Sequence, residues 1–411
     1  PRLKPCPGYH PDVLARAAIL AHPLLDPGGL RVPPLSTAVA AMLLVTAVAR
    51  FWPGGHALPG LRSHNETHSW LGPLRGPMIA GRLVGILLLV LAVTAGRLGS
   101  ERELENIAPA LIIGAAWPLL LLGSALVGAV WRWLDPWDAL ARPVAPPGEA
   151  SGDVHWAGVA ALAWVWYLSA YQTPLHPRSI GLALGAYTIV TLAGCLALGR
   201  RKWLSRAEAF GLLFGWTALL RRGHLPSWAP PRGAEIVLGV LAGGLAFGAI
   251  RQSSLWGGLN LAEHALVLAT AGIAVAAGGF AALLWWIERR AGAVEARGSV
   301  AAAMVPAVVG LAIALALARN RLFTSVQLLP GLLADPLGSG GGPLARGYPL
   351  EPDPLGVTGL VLAQAAVLLA AHVAGALILA RRAAAPGRQP AMVALAVSVG
   401  VGMAGLTAAQ V

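Results

Sequence analysis

Residues 83–98 read LVGILLLVLAVTAGRL, a run whose only charged residue is Arg97. Apolar runs of this kind recur from one end of the chain to the other. Crossing the hydrocarbon core of a bilayer as a helix takes about 20 such residues. Candidate spans lie near 35–52, 83–98, 107–131, 154–172, 179–199, 234–250, 264–287, 300–318, 356–380 and 391–409. In lipid the backbone must satisfy its own hydrogen bonds, so these runs are read as helices. Barrel strands would instead alternate over segments of about ten residues, and that pattern is missing. Of the 411 residues 56% are hydrophobic and 12% charged, against about 25% charged in soluble domains. The expected fold class is therefore all-α, a polytopic transmembrane helical bundle of ten spans. Its wealth of Ala, Leu, Val and Gly suits helices whose backbones approach closely in lipid.

The formal net charge is +12. Arg and Lys stand mainly at the ends of apolar runs, where they meet headgroups and cytoplasmic flanks. No polar domain exists to carry a nucleic-acid surface, so nucleic acid is excluded as a partner. Ten spans with an outside N-terminus put Arg50, Arg62, Arg132, Arg142, the basic residues from Arg200 to Arg232, Arg289, Arg290, Arg381 and Arg382 inside. Letting 207–220 (AEAFGLLFGWTALL) cross as well would erase that asymmetry. It is read as one short interfacial or re-entrant helix, and both termini as extracytoplasmic. The organisation expected is an N-terminal segment 1–34, a bundle with short loops over 35–318, an extracytoplasmic flap over 319–355 and two last spans within 356–411. The flap contains LLADPLGSGGGPLARGYPLEPDP, whose Gly and Pro density predicts no long helix. Cys6 and Cys195 define neither a disulfide framework nor a redox pair.

Histidines are the residues most suggestive of chemistry. His56, His64 and His68 lie within HALPGLRSHNETHSW, where a helix would put His64 and His68 on one face as metal ligands. Pro59 and Gly60 interrupt that stretch, which reads as an exposed polar loop. His372 lies inside the run VLAQAAVLLAAHVAGALILARR, about nine residues from its basic end. An ionisable group there faces a bundle interior or a wet cavity, as a haem or metal ligand or a proton relay. Gln364, eight residues earlier, lines the same side. His264 begins its span beside Glu263, and His22 precedes the first span. Trp131, Trp133 and Trp137, with Asp135 and Asp138 around Pro136, read as an interfacial anchor and helix cap.

Four stretches resemble, in order, a family of polytopic bacterial membrane proteins labelled fenitrothion hydrolase. They are AILAHPLL with His22, the segment from Asn106 to Pro143, RAEAFGLLFG over 206–215, and the C-terminal run through VQLLPGLLADPLGSG and AAHVAGALILARR. The resemblance implies a bacterial inner-membrane location. It also raises His22 and His372, which match family histidines, as ligand candidates and brings in hydrolase activity. ALARNRLF departs from the pattern, lacking a family histidine. Three readings stay open. With few ionisable residues inside spans and no complete site, the chain reads first as a non-catalytic anchor or scaffold subunit, its partners being the bilayer and other membrane subunits. The second is a transporter or permease with a cavity near His372 and Gln364. The third is a membrane enzyme, hydrolytic or redox, using a haem or divalent metal on His22, His264 or His372. No cofactor is specified by the sequence.

Overall fold

The computed structural model describes residues 34–51, 75–150, 152–221, 223–259, 264–290, 298–382 and 385–408. Among them helix is the dominant structure and eight helices are long and apolar enough to cross a membrane. The protein is an integral, multi-pass membrane protein with an all-α bundle fold. The helices are α1 (Pro34–Phe51), α2 (Arg75–Leu98), a π-helix (Pro109–Ala116) running into α3 (Trp117–Leu126), α4 (Trp131–Leu134), α5 (Pro136–Ala141), α6 (His155–Ser169), α7 (Pro177–Leu198), α8 (Arg200–Arg206), α9 (Ala209–Arg221), α10 (Ala234–Arg251), α11 (Ala265–Arg290), α12 (Ser299–Leu317), α13 (Arg321–Ala334), α14 (Gly356–Arg382) and α15 (Ala385–Ala408).

Helix α12 is the axis. Its sequence is almost wholly Ala, Val, Leu and Gly, and nearly every residue is buried, the mark of a helix packed on all sides. Helices α10, α14 and α15 pack around it, with α1 against α14 and α15 and α6 against α10. Small residues permit these contacts. A Cβ on Gly375 would stand 2.5 Å from the Ala303 carbonyl oxygen, and one on Gly243 2.2 Å from that of Ala276. The outer helices keep apolar side chains exposed, among them Leu87 on α2, Ile189 on α7 and Val275 on α11, as lipid contact requires.

The second half of the bundle joins α2, α7, the π-helix with α3, and the short helices α4, α5, α8 and α9. Here several expectations change. The 107–131 run is a π-helix followed by a ten-residue α-helix that stops at Gly128, where φ is +113°. The 154–172 run holds a helix of 15 residues, short of a full span. The 207–220 stretch forms one helix too short to span, α9. Helix α9 packs against α3 and α12 with Leu213, Phe214, Trp216 and Thr217 buried. The 319–355 segment does contain a helix of 14 residues, α13, laid against the π-helix. Its Leu322, Ser325, Leu328 and Leu332 recur at helical spacing and are buried, and the Gly-rich turn follows it instead of interrupting it.

Candidate functional site

Asn106 fixes the start of the π-helix. It is fully buried, and its Nδ2 donates to the carbonyls of Ala95 (2.7 Å) and Ser100 (2.8 Å) while its Oδ1 accepts from the Ala108 amide (2.9 Å). One side chain thereby ties the end of α2 to the turn and to the next helix. π-helical turns are rare and concentrate at functional sites. This one turns Leu111, Ile112 and Ala116 toward the interior between α2, α7 and α9. Opposite it, α4 seats on glycines of α2. A Cβ on Gly85 would meet the Leu134 carbonyl oxygen at 1.7 Å and one on Gly81 that of Trp133 at 2.7 Å.

Two short helices begin at acidic caps in this region. Asp135 caps α5, its Oδ1 accepting from the amides of Trp137 and Asp138, both at 3.0 Å. Glu208 precedes α9, its Oε1 accepting from the Phe210 amide (3.0 Å) and its Oε2 from that of Gly211. The carboxyl folds back over Gly211, where a Cβ would lie 2.4 Å from Oε2. Capping carboxylates satisfy the free amides of a helix start and suit its dipole. Tyr187 of α7 adds a third donor, its hydroxyl lying 2.8 Å from Glu208 Oε1. Glu208 is only 2% exposed. Burial, reinforced by the charge of Asp135, lifts its carboxyl to about 8. Burial also lifts Asp135, to about 6, with the Asp138 charge adding to it.

Asp138 is held differently. Arg82 and Arg142 each reach its Oδ2 at 2.8 Å, and Arg200 bonds Oδ1. Burial opposes its ionisation, but the hydrogen bond from Arg142 and the charges of Arg142, Arg200 and Arg82 outweigh that and keep it below the usual carboxylate range. Among the described residues no Arg or Lys forms an ion pair with Glu208 or Asp135.

Nearby lies a cavity of about 130 Å³ with an apolar lining; Glu208, Tyr187 and Asp135 do not line it themselves, but the two carboxyls bond the backbone amides of two lining residues, Phe210 and Trp137. Its aromatic wall is Trp117, Trp131, Trp137, Trp164, Phe210 and Phe214. Trp137 stacks on Phe210 (6.1 Å between centroids, 22° between planes), and Trp164 meets Phe210 edge to face at 5.2 Å. Tyr187 packs on both Trp137 and Phe210, while Trp137 Nε1 donates to Thr188 at 3.1 Å. The wall and the acids share a backbone: each carboxyl bonds the amide of the aromatic residue two positions on, Asp135 to Trp137 and Glu208 to Phe210.

The histidines singled out in the sequence are elsewhere. His22, His56, His64 and His68 lie outside the described residues. His264 is exposed at the start of α11. His372 is fully buried, with Nδ1 2.8 Å from the Leu368 carbonyl and Nε2 3.0 Å from the Ser398 hydroxyl. A carbonyl only accepts, so Nδ1 carries the proton and Ser398 donates to Nε2. Gln364 donates to the Ala314 carbonyl at 3.0 Å. Neither His372 nor Gln364 lines the cavity. Among the described residues no group of three or more His, Cys, Asp and Glu is placed to hold a metal ion. Trp131 and Trp137 pack in the interior wall and do not form an interfacial anchor. That role suits Trp285 and Trp286, which are exposed with Arg289 and Arg290 over their rings.

Glu208 and Tyr187 were not among the sequence candidates. The available signal was the Asp135-Pro136-Trp137 and Glu208-Ala209-Phe210 pattern, an acid two residues before an aromatic at the head of a short apolar helix. The chain matches no family model, and no curated protein or solved structure matches it.

Proposed function

We propose that the chain is a proton-linked membrane carrier whose working site is the Glu208–Tyr187–Asp135 group and the aromatic cavity near it. The observation that carries this reading is the meeting of two short, acid-capped helix starts beside a ligand-sized cavity. Secondary transporters build their sites from broken helices whose ends meet inside the bundle, and ionisable groups retained among membrane helices mark ion pathways. The anchor or scaffold reading requires none of these features, and lipid contact accounts for the exposed apolar faces. Relative to the transporter expected from the sequence, the proposed site moves from His372 to Glu208.

The test is charge movement. Proteoliposomes adsorbed on a solid-supported membrane are given a pH jump with no substrate present. A carrier with a buried, exchangeable proton gives a transient current in the wild type that Glu208→Gln abolishes. A wild-type current no larger than that of the variant refutes the proposal.

A further inference from the structure

We propose that the cavity takes a compact organic cation, a tertiary or quaternary ammonium head about the size of tetramethylammonium, in exchange for the proton on Glu208. This rests on the carrier reading above and names its substrate class. Three observations point the same way.

The first is the wall. Six aromatic rings line the cavity, and ring faces attract a cation through their quadrupole, ammonium groups above all. The second is size. A volume of about 130 Å³ is close to that of an apolar cavity of roughly 150 Å³ that stays dry and holds benzene. It fits one compact head.

The third is charge. Glu208 faces Tyr187 on α7 and feels the charge of Asp135 at the start of α5. On α8, Arg200 is bonded to Asp138 and Arg206 lies 3.8 Å from Asp153. On α2, Arg82 is bonded to Asp138. Of the other helices packed on α9, α3 and α12 carry no charged side chain, while α4 carries the exposed Arg132 and α6 the exposed His155. Arg82, Arg142 and Arg200 are thus drawn onto Asp138, and the two carboxyls that bond the amides of Trp137 and Phe210 have no ion-pair partner among the described residues, although the charge of Arg82 reaches Asp135. A neutral ligand would leave an ionised Glu208 uncompensated, and an anion would sit beside two carboxyls. A cation replaces the departing proton at constant local charge. The step is the neutral carboxylic acid and a free ammonium going to carboxylate with bound ammonium, the proton passing to solvent. No bond to carbon changes, and no electron is transferred.

The experiment uses the full chain purified in mild detergent, with tetramethylammonium as probe and neopentane, its uncharged isostere, as control. In weakly buffered solution at pH 7, binding of tetramethylammonium should release about one proton per site. Its affinity should rise about tenfold per pH unit from pH 6 to pH 8 and level off above, because the proton competes below the Glu208 value. Glu208→Gln should remove both proton release and pH dependence. Tyr187→Phe removes a donor that favours the carboxylate, so it should move the plateau to higher pH. It serves as the second variant if Glu208→Gln does not fold. Trp137→Leu should weaken binding about tenfold. Neopentane binding that equals or exceeds that of tetramethylammonium overturns the proposal, as does cation binding without proton release. If neither probe binds while the pH-jump current persists, the substrate class falls and the carrier reading stands. If the current is also missing, both fall.

Discussion

Replacing Glu208 by Gln should flatten the pH dependence of unfolding between about pH 6 and pH 8. The folded chain holds this carboxyl at about 8, against an ordinary value of 4.5. A raised carboxyl means that the folded form binds the proton more tightly. Its stabilising contribution is then complete below about 4.5 and is lost progressively as pH rises to about 8. Across that window the folded state keeps a proton that the unfolded state has released, which corresponds to about 1.4 kcal/mol per pH unit. Asp135, raised from 3.8 to about 6, acts in the same direction but only over the lower part of the range. Asp138 is lowered, so its contribution is lost only in acid, below the ordinary carboxylate value. The Glu208 part of the slope from pH 6 to pH 8 is therefore read as the difference between wild type and Glu208→Gln, in which the histidines and the other carboxyls, Glu103 and Glu288 among them, cancel. The assay is unfolding in mixed micelles followed by tryptophan fluorescence at pH 5, 6, 7 and 8, wild type beside variant. Stability should fall more steeply with pH above 6 in the wild type than in Glu208→Gln. Parallel slopes would mean that the carboxyl is not held protonated, and the proton-linked reading would lose its basis.

Other perturbations test the framework around the site. Asn106→Ala strands the Ala108 amide and the Ser100 carbonyl in a buried place while Ala95 keeps its bond from Gly99, so thermal unfolding should reveal a loss of about 3 kcal/mol. Gly85→Ala drives a Cβ into the Leu134 backbone and should cost about 3 kcal/mol or prevent monodisperse purification. Gly76→Ala on the same helix meets nothing within 4 Å and should be near neutral. Asp138→Asn leaves Arg82 and Arg200, each 13% exposed, without their counter-charge, and should destabilise by about 3 kcal/mol in the same assay. His372→Ala should lower stability by about 2 kcal/mol through the stranded Ser398 hydroxyl and lost packing. It should leave the metal content of the purified protein, measured by elemental analysis, at the wild-type level.

The long spans were legible because a 20-residue apolar run has few other solutions, and α2, α7, α10, α11, α12, α14 and α15 follow the runs that announced them. The π-helix was not. A π-turn and an α-turn ask for the same apolar residues, and Asn106 selects between them only through partners on α2 and in the following turn. Helix α13 was hidden by its neighbours: the glycines after Asp335 belong to the turn that ends it, and the helix itself keeps regular apolar spacing despite Pro330.

The site was missed for a different reason. Histidine draws attention because its unperturbed imidazole titrates near neutrality. A carboxyl acquires comparable behaviour only from its surroundings, and sequence does not give surroundings. His372 illustrates the converse. Both of its ring nitrogens are taken up by groups on α14 and α15, so its deep position fixes two helices to each other without leaving a nitrogen for a ligand. Glu208 stands at the head of an apolar helix too short to span, with arginines on either side of the stretch. That setting makes a lipid-facing position unaffordable for a carboxylate, which leaves burial among helices with backbone amides as partners. The arrangement at Asp135 is the same, down to the aromatic residue two positions on. What separates the two acids from Asp138 is the arginines: three form ion pairs with Asp138, and among the described residues none does so with the others, though the Arg82 charge reaches Asp135. An acid buried without a cation must keep its proton or acquire a positive partner. The aromatic cavity lined by Phe210, whose amide Glu208 holds, is where such a partner would sit.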